Sequence, residues 1–147
     1  MSPARETNPW LKDERARLAE DRILDAAGEA FVELGVAHAS MEDVARFANC
    51  SRGTVYRYFK NRHELRLAFI IRVAQHIHVK IRDITRTTTD PGEAIIMAIT
   101  VSLAEVRGNP TLAPWFNAEA QGTTNAVAGS SQAMFEMSAA YLASLLE

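Results

Sequence analysis

The densest chemistry in this sequence sits in twelve consecutive residues, Ser51-Arg52-Gly53-Thr54-Val55-Tyr56-Arg57-Tyr58-Phe59-Lys60-Asn61-Arg62. On a helix, Val55 and Phe59, four residues apart, share one face and can enter a core. That leaves Arg52, Thr54, Tyr56, Arg57 and Tyr58 on or near the outer surface. Hydroxyl and guanidinium groups donate to phosphate oxygens, and arginine also reaches guanine O6 and N7 with two N–H groups at once. Gly53 has no side chain, so the backbone there can approach a partner closely. The surrounding stretch is basic: residues 46–72 hold Arg46, Arg52, Arg57, Lys60, Arg62, Arg66 and Arg72 against one acid, Glu64. A local positive field of this kind attracts polyanions although the whole chain carries a formal charge of -2. For a charge run taken alone, a solvated helical face is the plainer reading.

Other chemistries find little support. Cys50, the single cysteine, excludes an internal disulfide framework and a thiolate-cluster zinc site, and reads as a small core residue. His76 and His78 are two apart and diverge around a helix, unlike the four-residue spacing of a helical metal pair, and His63 has no ligating partner nearby in sequence. His76 is expected to pack on the apolar side of its helix. No nucleophile–base pair, glycine-rich phosphate loop or paired carboxylates stand out, so no enzyme activity, cofactor or metal is expected.

The 147 residues are 48% hydrophobic and 23% charged, an ordinary globular composition for one domain or two small ones. Residues 1–86 carry 15 Lys/Arg against 12 Asp/Glu and residues 87–147 carry 1 against 6, so the two halves differ in kind. No apolar run is long enough to cross a membrane, and Met1–Trp10 lacks the apolar core of a secretion signal, so a cytoplasmic protein is expected.

What must position the basic segment is a set of helices. An arm over 1–13 precedes a long amphipathic helix over 14–34, whose apolar residues Leu18, Ile23, Leu24, Ala27, Phe31 and Leu34 recur at helical spacing. Gly28 inside it suits a close helix contact, and Gly35 a left-handed stop. Ser40 with Asp43 opens a short helix over 41–48, Asn49-Cys50 forms a tight turn, and Ser51 caps a third helix over 52–59. Asn61 with Glu64 opens a fourth, striped by Leu65, Ala68, Phe69, Val73, Ile77, Ile81 and Ile84, running to about Thr85. A linker over 87–92, an apolar helix over 91–107, an aromatic segment (Leu112, Trp115, Phe116), a break at 122–125 and a last helix over 126–146 complete an all-α chain.

Two short helices joined by a tight turn have the geometry of a helix-turn-helix, whose second helix can enter a major groove. The pattern Arg22-Ile23-Leu24-x-Ala26-Ala27, Phe31, Gly35, Ser40-x-x-x-Val44-Ala45 and Ser51 through Leu65 closely resembles the DNA-binding domain of the tetracycline-repressor (TetR) family. The match spans about residues 15–70. The resemblance implies an N-terminal three-helix DNA-binding domain (1–60), a connecting helix (61–86) and a helical ligand-sensing and dimerisation domain (87–147). It implies a sequence-specific transcriptional regulator, usually a repressor, that binds a palindromic operator in double-stranded DNA as a homodimer and lets go when a small molecule binds the C-terminal domain. Its DNA contacts fall by matched position on Arg52, Gly53, Thr54, Tyr56, Arg57 and Tyr58, with Ser40 and Arg62 at helix starts. We assign Arg52 and Arg57 to base edges and Thr54, Tyr56, Tyr58 and Arg62 to phosphates.

The sequence departs from the family in two places. Asn49-Cys50 stands where Gly-Val is usual, and the chain holds fewer helices than the family's usual set, which leaves Trp115, Phe116, Tyr141 and Leu145 as candidates for a substitute dimer surface. Met97, Trp115, Phe116, Met134, Phe135, Met137 and Tyr141 read as well as plain core as they do as the lining of an adaptable cavity. The resemblance favours a pocket of Met97, Thr100, Trp115, Phe116, Asn117, Met134, Met137 and Tyr141, suited to an apolar ligand with one hydrogen-bonding end. The alternatives are a helical small-molecule-binding protein without DNA function and a shortened regulator acting through heterodimers.

Overall fold

The structure is a computed structural model and describes residues 9–129 together with 132, 136, 139, 140 and 143. Regular structure among the described residues is wholly helical: α1 (Pro9–Leu34), α2 (Met41–Phe47), α3 (Arg52–Tyr58), α4 (Arg62–Thr85), α5 (Pro91–Gly108), a short 3-10 helix (Ala113–Phe116) and α6 (Gln121–Gly129).

Helix α1 begins at Pro9 rather than at residue 14. Proline suits a first helical position, and the Leu-Lys-Asp-Glu-Arg-Ala-Arg run behind it consists mostly of strong helix formers. Burial along α1 starts only at Ile23, so Leu18, expected in the apolar stripe, stands in solvent. From there Ile23, Leu24, Ala27, Ala30 and Phe31 enter the core. Gly35 ends the helix at φ 85°, and its N–H donates to the Phe31 carbonyl at 3.0 Å.

Caps start each of the next helices. Ser40 Oγ accepts from the Asp43 N–H at 3.1 Å while the Asp43 carboxylate accepts from the Ser40 N–H at 2.9 Å, a reciprocal box at the head of α2. Ser51 Oγ accepts from the Thr54 N–H at 3.1 Å to open α3, and Asn61 Oδ1 from the Glu64 N–H at 2.9 Å to open α4. Between α2 and α3 the chain reverses through Asn49 at φ 52°, the left-handed conformation that asparagine tolerates.

Hydrogen bonds from the Ser40 side chain and backbone, with the nearby Arg46, hold the Asp43 carboxyl below its ordinary value against a smaller desolvation effect. A lowered folded-state value stabilises the fold above the carboxyl's unfolded value of 3.8, and that contribution is lost as pH falls through the folded value. Asp43→Asn is therefore expected to cost about 1 kcal/mol near neutrality, with the gap from the parent closing as pH falls from 3.8 through the lowered folded value. Thermal midpoints measured across that range test this; a gap independent of pH would refute it.

The core joins the two halves of the chain. Phe31 of α1 meets Phe69 of α4 edge-on with ring centroids 5.3 Å apart, and Trp115 of the 3-10 helix at 5.5 Å. Phe69 and Trp115 stack in parallel at 5.9 Å. Gly28 makes the approach possible, because a Cβ there would lie 3.1 Å from the Phe69 ring and 3.2 Å from Thr111 Cγ2. A single hydrophobic cluster runs from Ile23 to Val127.

The expected break at 122–125 lies inside α6. Thr and Asn are poor helix formers, but tertiary anchors override them here. Asn117 Oδ1 accepts from the Ala120 N–H at 2.7 Å, Thr124 Oγ1 donates to the Trp115 carbonyl at 2.7 Å, and Val127 is buried. The remainder of the expected last helix, with Met134, Phe135, Met137, Tyr141, Leu142, Leu145 and Leu146, lies outside the described residues apart from the five positions named above.

Candidate nucleic-acid interface

Helix α3 is a short rod pinned by its apolar face. Val55 and Phe59 beneath it are 0% and 4% exposed, whereas Arg52, Gly53, Tyr56 and Arg57 are exposed and Thr54 and Tyr58 half-buried. The two arginines lie over tyrosine rings of their own helix, Arg52 at 5.2 Å from the Tyr56 centroid and Arg57 at 5.6 Å from that of Tyr58. These stacks cover aromatic surface and aim the guanidinium groups outward as a set. Hydrogen bonding to Tyr56, then the Glu42 carboxylate, raises the Arg52 pKa above its ordinary value, so its charge is constant at any physiological pH.

The other basic residues divide. Arg46 and Lys60 are exposed, with Arg46 paired to Asp43 at 2.9 Å. Arg62 is exposed and donates to the Ala37 carbonyl at 3.3 Å. Arg66 is buried, and its Nη2 donates to the carbonyls of Val36 and Ala37. Burial, then the neighbouring Arg62, brings its pKa down to about 10. Arg72 turns to α1, donating to the Asp21 carbonyl at 3.0 Å and pairing with the Asp25 carboxylate at 2.8 Å. Arg66 and Arg72 thus tie α4 to α1 and to the turn behind it. Ser40 is half-buried in its capping box, at the head of α2.

The sequence reading missed two residues at this surface. Glu42 of α2 places Oε1 2.9 Å from Arg52 Nη1, a pairing across the helix-turn-helix angle. Arg66 read as one more surface cation; its spacing from Leu65 and Phe69 on α4 hinted at burial.

This face can be set beside known proteins. The family model described as bacterial regulatory proteins, tetR family, matches residues 23–69. An uncharacterised HTH-type transcriptional regulator of Mycobacterium tuberculosis is 40% identical over 140 residues, covering 92% of this chain and 67% of the relative. The chain belongs to the TetR family. The HTH-type transcriptional activator FasR of Mycolicibacterium smegmatis is 33% identical over 95 residues, 65% of this chain and 42% of that protein. The fatty acid degradation regulator FadR from Bacillus halodurans shares the fold, with TM-score 0.71 and 23% identity over 86% of this chain and 65% of that one. NalD of Pseudomonas aeruginosa, described as the secondary repressor of the MexAB-OprM multidrug efflux pump, gives TM-score 0.53 and 27% identity, again over 65% of its length. The chain therefore spans about two-thirds of the length of the M. tuberculosis relative, FadR and NalD, and less than half that of FasR.

At the Asn49-Cys50 turn, Cys50 packs half-buried against the core, and its N–H donates to the Ala45 carbonyl at 3.0 Å. The residues named for a ligand pocket go to different places. Trp115 is core, Phe116 is 68% exposed, and Met97 is half-buried and accepts from Thr88 at 3.5 Å. Thr100 is exposed and bonds back to the Ile96 carbonyl, and Asn117 is exposed and accepts from the Ala120 N–H just ahead of α6. Met134, Met137 and Tyr141 lie outside the described residues. A cavity of about 450 Å³ does open elsewhere, between α1, α4 and the end of α5, lined by Asp21, Asp25, Arg72, His76, Glu105 and Asn109. His76, expected to pack on an apolar side, is exposed at its rim because α4 turns Phe69 and Ile81 inward. No helix among the described residues is long and apolar enough to cross a membrane.

A Cβ built on Gly53 has Ser51 Oγ as its nearest neighbour at 3.8 Å, so the fold itself has room for a side chain there. Gly53→Ala and Gly53→Leu are expected to leave thermal stability intact while duplex affinity falls, by about tenfold for leucine, or about 1.4 kcal/mol. If both variants bind DNA like the parent, the backbone of α3 does not approach the duplex closely.

Proposed function

We propose that this TetR-family regulator binds a palindromic operator as a homodimer, acts as a repressor, and is released by a small molecule held by its C-terminal half. In this reading residues 1–60 contact DNA, 61–86 connect and 87–147 sense and dimerise. The observation that carries it is α3 itself, with Val55 and Phe59 locked in the core and Arg52, Tyr56 and Arg57 presented outward. Arg52 and Arg57 read base edges; Thr54, Tyr56, Tyr58 and Arg62 hold phosphates, with Ser40 at the head of α2 beside them. Release is supported by the arrangement at the other end. The cavity lined by Asp21 and Asp25 of α1, Arg72 of α4 and Glu105 of α5 lies where the C-terminal half meets the other two parts of the chain, so that half supplies one wall of it. A molecule favouring one packing of these helices shifts the population toward it and changes the separation of paired recognition helices.

Sedimentation of the full chain with and without duplexes taken from the DNA flanking its coding region tests the proposal. Two chains per duplex are expected, with log affinity falling against log salt by about 0.9 for each phosphate neutralised. A salt slope near zero, or no complex, favours a helical small-molecule binder without DNA function.

A further inference from the structure

The surface that faces DNA contains an acid that does not belong there on charge alone. Helix α2 starts with two acids, Glu42 and Asp43. Asp43 is accounted for by the capping box and by Arg46. Glu42 makes no cap; it reaches out of α2 to Arg52, the first residue of α3, with Oε1 2.9 Å from Nη1. Both side chains remain more than half exposed, at 53% and 63%. A carboxylate so placed repels a phosphate backbone and weakens every DNA complex, specific or not.

We propose that Glu42 is a specificity-determining positioning residue, which fixes the Arg52 guanidinium by one edge and withholds its charge from phosphates. Two physical effects act together. The Glu42 carboxylate forms an ion pair at 2.9 Å from Nη1 while the Tyr56 ring lies by the guanidinium carbon at 5.2 Å, so the group is drawn to one position from two sides before DNA arrives. The N–H groups left over are presented in fixed orientation, which favours the two in-plane acceptors of a guanine edge over the broad, rotationally undemanding field of a phosphate. Meanwhile the carboxylate cancels most of what Arg52 contributes to sequence-independent attraction. Arg57, stacked on Tyr58 and with no paired acid among the described residues, makes the contrast within the same helix. The result is a larger ratio of specific to non-specific affinity, bought with some absolute affinity.

The inference rests on the DNA-binding reading above, and the experiment separates the two. A duplex enriched by the full-length parent chain from a randomised pool serves as the specific probe, and a scrambled duplex of the same composition as the non-specific one. Affinities for both are measured by fluorescence anisotropy over a salt series for the parent, Glu42→Gln, Arg52→Ala and the double variant. Glu42→Gln keeps the shape and an acceptor but loses the charge. It is expected to tighten the scrambled complex several-fold, to steepen its salt slope by about 0.9, and to lower the specificity ratio by about fivefold or more. In the Arg52→Ala background the same change is expected to leave the ratio unmoved, which a general weakening of α2 would not do. An unchanged or increased ratio in Glu42→Gln, or an equal loss with Arg52 absent, overturns the assignment while DNA binding stands. Failure of the parent to enrich any duplex removes both readings.

Discussion

Phe31→Ala is expected to cost about 3–5 kcal/mol of folding stability, a large part of the total that a domain of this size commands. Phe31 is 0% exposed and touches both Phe69 and Trp115 edge-on, so its removal opens a cavity at the point where three separate segments meet. The walls cannot collapse to fill it, because Phe69 and Trp115 are stacked on each other and Gly28 already brings the α1 backbone to its closest approach. The loss is expected to reach DNA binding, since Phe31 lies in the same cluster as Val44, Val55 and Phe59 under the helix-turn-helix. Denaturant unfolding measures the change; a cost below about 1 kcal/mol would mean the aromatic cluster is not the central joint. Trp115 supplies a control. Its buried Nε1 has no hydrogen-bond partner among the described residues, so Trp115→Phe loses volume but also removes an unmet N–H, and is expected to be far milder than Trp115→Ala.

The second large effect is on affinity. Arg57→Ala is expected to weaken binding to an enriched duplex by about 5- to 150-fold, the range of one bidentate base contact of 1–3 kcal/mol. Its stability should be nearly that of the parent, because the side chain is exposed and rests on the face of Tyr58. The salt series distinguishes roles. A base reader loses discrimination at one position with the slope almost unchanged, whereas a phosphate clamp weakens all duplexes alike and lowers the slope by about one. Tyr58→Phe, which deletes one hydroxyl, is the comparison expected to behave as the phosphate clamp. An Arg57→Ala variant that binds every duplex like the parent would remove α3 from the interface.

Much of this architecture was legible in the residues themselves because its signals are local. A capping serine or asparagine, an acid three residues on and a four-residue apolar spacing act within one or two helical turns. Ser40 with Asp43, Ser51 by itself and Asn61 with Glu64 therefore marked the starts of α2, α3 and α4 within a residue. Asn49 and Gly35 likewise announced their left-handed turns. The outward set of Arg52, Tyr56 and Arg57 followed from nothing more than the burial of Val55 and Phe59.

Long-range pairing decided the rest. Thr123, Thr124 and Asn125 read as a break, yet form helix because the Trp115 carbonyl, 9 residues from Thr124, accepts its hydroxyl. Arg66 and Arg72 read as part of a basic field, yet their charges are turned inward by carbonyls and carboxylates 29–51 residues away. Glu42 looked like an ordinary helix-start acid until the turn brought Arg52 within 2.9 Å of it. Residue type and spacing specified which helices form and which face of α3 is apolar, because those depend on backbone hydrogen bonds and periodicity close along the chain. Which charges reach solvent, and where a cavity opens, depended on groups that meet only after the chain has folded back on itself, and pairwise electrostatics at such distances leaves no periodic trace in sequence.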